Sequence, residues 1–129
     1  MPRSRCIELP GSTLGALFDE KDAVVLRLDP AVVHQYEEQA GFDSGTRYLQ
    51  GVDLRISAPA PRLVIERFPC TIVTGKLVIG DMHHPSLIPL PMIYGGTTEL
   101  CCSTEYGENL VIRGKGVVLV FRGAREVPE

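Results

Sequence analysis

Asn109-Leu-Val-Ile-Arg-Gly-Lys-Gly-Val-Val-Leu-Val-Phe-Arg-Gly123 is the stretch whose reading decides the fold. Two runs rich in β-branched and apolar residues flank Gly114-Lys115-Gly116, a composition that reads as strand, glycine punctuation, strand. A two-residue loop with glycine first suits a type II′ turn, so the expectation is a hairpin turning at Gly114-Lys115. In that register Ile112 faces Val117 and Leu110 faces Leu119, and the four share one buried side. Arg113 and Arg122 fall on the other side with Val111, Val118 and Val120, so that side is also partly apolar. The rival reading is a single long strand kinked by a glycine bulge, as at the corner of a small barrel.

Outward from this stretch, the chain keeps the same character. Val52-Asp53-Leu54-Arg55-Ile56-Ser57 alternates cleanly, the mark of a half-buried antiparallel strand. Ala23 to Leu28, Leu63 to Phe68 and Thr97 to Glu105 read as further strands. Between Thr71 and Gly80 the parity of apolar positions changes from Ile72 to Leu77 and Ile79, which reads as a bulge at Gly75, with a tight turn there as the rival. Asp29-Pro30 looks like a helix start, with Asp29 as cap, Pro30 at the first helical position and Gly41 as the stop. Val32, Val33, Tyr36 and Ala40 then fall at helical spacing, which predicts one helix over about residues 30–40. Residues 1–22 read as an irregular arm, with Ser12 as a cap for at most one helical turn. The expected fold is mainly β: a small antiparallel barrel or sandwich of about seven to nine short strands, with that one α-helix.

At 129 residues the chain is expected to be a single globular domain, long enough to bury a core without staples. Its 13 basic and 16 acidic residues give a net charge of −3, and the basic residues are scattered. Nucleic-acid binding needs a clustered positive stripe, so that class is disfavoured. Aromatic residues make up only 6% of the chain, too little for base-stacking platforms. No apolar run reaches the length of a membrane span, and the opening residues lack the apolar region of a secretory signal. With four cysteines and no such signal, the expectation is a reduced, cytoplasmic protein.

Few residues suggest chemistry. Cys101-Cys102 is no metal pair, because neighbours on a strand point to opposite faces; Cys102 is expected in the core and Cys101 outside. His34 has Glu37 and Glu38 at helical spacing, a pairing that needs no function. Neither Thr74-Gly75-Lys76 nor Gly114-Lys115-Gly116 completes a phosphate-loop pattern. Asp81, His83 and His84 follow a strand and supply the residue types of an acid–base or metal site. A small hydrolase or isomerase working at a barrel mouth is therefore the alternative reading. No cofactor and no metal are expected. The segment Leu87, Ile88, Leu90, Met92, Ile93 and Tyr94, punctuated by Pro85, Pro89 and Pro91, reads as a loop or sheet edge. Its apolar groups must be buried against the barrel itself or against a partner. The leading expectation is thus a binding or interaction module that forms a homo-oligomer through this segment. A small apolar ligand inside the barrel is a further expectation, conditional on a wide interior.

Overall fold

The computed structural model describes residues 4–36, 46–59, 66–90 and 92–122. These form nine strands and no helix: β1 (Ser4–Glu8), β2 (Thr13–Glu20), β3 (Ala23–Tyr36), β4 (Thr46–Ser57), β5 (Cys70–Ile79), β6 (Met82–Pro85), β7 (Leu87–Leu90), β8 (Met92–Thr104) and β9 (Asn109–Arg122). All pairings are antiparallel. The path runs β2-β5-β8-β9-β4-β3, and β3 pairs again with β2, so these six strands return to their start. β1 and then β7 continue from β3, and β6 hangs on β5.

The expected helix over 30–40 is not formed where the chain is described. Residues 23–36 are one strand, and the remainder of that span lies outside the described residues. Asp29 and Pro30 sit instead at a register break between Leu28 and Ala31, where the ladder skips and proline's missing donor is not required. Beyond it Ala31, Val32 and Val33 are all buried, with β1 on one side and β4 on the other. Two adjacent β-branched valines favour this pleated, doubly covered site, and long-range pairing overrides the local cap signal.

The expected hairpin at Gly114-Lys115 is likewise replaced by the single kinked strand. β9 runs unbroken, first beside β8 (Asn109 to Lys115), then between β8 and β4. Ile112 stands opposite Leu100, and Val117 stands between Tyr94 and Ile56. The β8–β9 register shifts between Tyr94 and Thr97, and Gly116 carries a φ of +134° there. This break changes the parity, so Leu110, Ile112, Val117 and Leu119 all reach the core although no turn joins them. Gly114 is required for close approach: a Cβ there would lie 2.5 Å from both the Ile56 side chain and the Ser57 carbonyl.

Residues 1–22 are not an irregular arm where described, since β1 and β2 both lie in the sheet. Ser12 caps no helix. It is fully buried; its hydroxyl donates to the Glu8 carbonyl at 2.5 Å and accepts from the Val32 amide at 2.9 Å, fixing the β1–β2 turn to β3. The bulge expected at Gly75 lies earlier, between Ile72 and Thr74 on β5. Gly75 is instead a contact point, where a Cβ would meet Leu9 at 2.9 Å. Of the expected strand Leu63 to Phe68, residues 63–65 lie outside the described residues and 66–68 are not strand. The alternation of Val52, Leu54 and Ile56 is observed as read, extended upstream by buried Tyr48 and Gln50. Side chains from β1 to β5 and from β7 to β9 join in one apolar core.

Candidate functional site

The segment from Asp81 to Tyr94 enters the sheet as edge strands and then as the start of β8. Among the described residues β6 pairs only with β5 and β7 only with β1, the edge placement that Pro85 and Pro89 permit. Alternation sorts the apolar residues. Ile88 and Met92 turn into the core, and Leu90 and Tyr94 pack against it. Leu87 at 42% and Ile93 at 80% stay exposed. Thus two of the six interface candidates face outward, and they lie on different strands.

Asp81 is exposed in the turn before β6. His83 pairs with Val78 and His84 with Leu77, so the adjacent imidazoles project to opposite faces. His84 shares the side of buried Leu77, and its Nε2 is buried without a hydrogen-bond partner. Among the described residues, no group of three or more His, Cys, Asp or Glu gathers to hold a metal ion. His34 meets Glu8 on β1, Nε2 to Oε1 at 2.7 Å; Glu37 and Glu38, its expected partners, lie outside the described residues. Cys6 is its direct cross-strand neighbour. Burial and the Glu8 carboxylate both push the Cys6 thiol up, the wrong direction for a nucleophile.

The cysteine pair divides as expected. Cys102 is buried, and burial pushes its thiol up to about 12. Cys101 is half-buried on the outside, its Sγ 3.6 Å from Glu99 Oε1; desolvation first and that carboxylate second raise its thiol too. Neither is poised to react.

A more substantial surface is the outer face of β2, β3, β4, β9 and β8. The registers place Phe18, Val25, Arg55, Val118 and Ile93 in one row across the five strands. Arg27, Asp53 and Val120 form the next row. An open groove of about 610 Å³ runs over these rows. At its centre the charges compensate one another. Arg27 grips Asp53 through two contacts, 3.1 Å from Nε and 3.2 Å from Nη2, and stacks over the Phe18 ring at 4.8 Å. The hydrogen bond to Asp53 leads the effects that raise the Arg27 pKa. Arg122 lies over Gly51, where a Cβ would be 3.0 Å from its Nη2. Its Nε comes within 2.9 Å of Asp53 Oδ1 without the alignment of a hydrogen bond, so the contact is chiefly one of charge. Arg55 pairs with Glu20. On the β9 side, beyond Arg122, the face carries exposed hydrocarbon: Val120 is 55% exposed, and exposed Ile93 stands directly opposite Val118.

The partly apolar outer side of β9 was visible in the sequence through Val118 and Val120. The row itself was not, because its members come from five strands between residues 18 and 118. Comparison with known proteins supplies no assignment: no family model matches the chain, and neither does any curated protein or any solved structure.

Proposed function

We propose that this chain is a binding module that self-associates, built as a small antiparallel barrel. The closed path of six paired strands supports the barrel reading. Ile93 carries the functional reading: a large aliphatic side chain, 80% exposed, beside Val118 and diagonal to exposed Val120. Clustered exposed hydrocarbon on a sheet face is what interaction surfaces present. Leu87, on β7, is a second and separate exposed contact from the same proline-punctuated segment. Four unpaired thiols fit a reducing, cytoplasmic setting.

The acid–base alternative at Asp81, His83 and His84 draws no support from imidazoles on opposite faces of β6. The small-ligand reading draws none from the interior, which core side chains occupy. Light scattering across a concentration series tests self-association. A mass that rises toward the dimer value at high micromolar concentration is expected, and a strict monomer there overturns the reading.

A further inference from the structure

Strands β5, β8 and β9 lie side by side and carry a second groove on their outer side, about 490 Å³ in volume. Register builds it from two rows. Thr74 stands opposite Ser103, which stands opposite Asn109; two residues along each strand, Lys76 stands opposite Cys101 and Cys101 opposite Val111. All six project outward, since the residues between the rows are buried. Among the described residues lining the groove, Lys76 alone is charged. It makes no ion pair or hydrogen bond with any described residue. The Glu99 carboxylate, one row further along, is held by Arg113 Nε at 2.6 Å. At the opposite end Glu105 and Glu108 turn to the Thr71 and Glu66 amides. Thr74 Oγ1 and Ser103 Oγ lie 2.5 Å apart, so one hydroxyl proton is used between them and the other is free to donate outward. Asn109 adds an exposed amide, and half-buried Cys101 and Val111 form an apolar wall.

We propose that this groove binds a small organic monoanion. Its carboxylate lies between Lys76 and the row of Thr74, Ser103 and Asn109, and its hydrocarbon part covers Val111 and Cys101. The two rows are about 7 Å apart, within reach of the flexible four-carbon lysine stem. Hydrogen bonds to a charged acceptor are about twice as strong as neutral ones, so a carboxylate gains more here than an alcohol or an amide. A single cation balances a single negative charge, which favours a monocarboxylate over a phosphate monoester. Ile93, Val118 and Val120 take no part in this site, so it holds or fails independently of self-association.

Cys101 lies in the groove and reports its occupancy. The test is iodoacetamide labelling of the folded protein, read by mass spectrometry, with hexanoate as the probe and hexanamide as its neutral match at constant ionic strength. Hexanoate up to about 20 mM covers dissociation constants into the millimolar range. At the top of the series Cys101 labelling is expected to slow by about fivefold or more, and Cys6 labelling not at all. Lys76→Gln is expected to abolish this protection. Lys115→Gln, at an exposed position outside the groove, is expected to keep it. Both lysines are exposed, so both variants are expected to fold, which far-ultraviolet circular dichroism checks. Absence of protection in the wild-type protein overturns the proposal. So does equal protection by hexanamide, or protection that survives Lys76→Gln.

Discussion

Ser12 and Val32, twenty residues apart, are joined by a buried hydrogen bond from the Val32 amide to the Ser12 hydroxyl. The same hydroxyl donates to the Glu8 carbonyl, so one side chain holds the β1–β2 turn against β3. Ser12→Ala removes both contacts and leaves a buried amide without a partner. The expected cost is about 1–3 kcal/mol of unfolding free energy, read from urea denaturation. An unchanged midpoint would show that water satisfies the amide instead.

Gly114 and Gly95 make a matched pair for testing the kinked strand. A methyl at Gly114 collides with Ile56 and the Ser57 carbonyl, whereas one at Gly95 meets nothing within 4 Å. Gly114→Ala is expected to destabilise by about 1–3 kcal/mol, the range for overpacking. Gly95→Ala should stay within about 0.5 kcal/mol. Equal effects in thermal denaturation would contradict the continuous β9 strand.

Burial ranks the thiols. Cys102, with its thiol pushed up to about 12, stays protonated at pH 8 and is shielded by the core. Half-buried Cys101 and Cys6 have raised thiols as well, yet both are accessible. Iodoacetamide labelling read by mass spectrometry should therefore mark Cys101 and Cys6 slowly in the folded protein. Cys102 should label only after denaturant is added.

The Glu99 carboxyl is held below its ordinary value, chiefly by the hydrogen bond from Arg113 Nε at 2.6 Å. A lowered folded-state value contributes stability that is present above the ordinary carboxylate pKa. That contribution is lost as pH falls through the folded value. Because the pair is largely exposed, it contributes at most about 0.5 kcal/mol. Arg113→Ala should lower stability slightly at neutral pH, and the gap from wild type should close in acid. Parallel denaturation curves at the two pH values check this.

The strand pattern of Val52 to Ile56 was legible because one side of β4 faces the core and the other does not, so alternation survives in the residues. The stretch Ala31 to Val33 was not, because burial on both sides erases alternation and leaves Asp29-Pro30 as the strongest local signal. Leu110, Ile112, Val117 and Leu119 were rightly grouped in the core for the wrong reason. A break at Gly116 restores their shared side much as a turn would have done. For the interface segment, prolines hid the two-residue rhythm that sends Ile88 and Met92 inward while leaving Leu87 and Ile93 outside. The row from Phe18 to Ile93 left no local trace, since only sheet register brings it together.

β3 and β4 are each long enough to serve two neighbourhoods. Ala23 to Leu28 pairs with β2 and with the end of β4, while Val32 to Tyr36 pairs with β1 and Ala31 to Gln35 with the beginning of β4. Neither neighbourhood can come apart without tearing ladder bonds from strands that the other also uses. Loss of structure should therefore be all-or-none, and the amides exchanging last with heavy water should sit in the unbroken β3–β4 ladders on either side of the Asp29-Pro30 break.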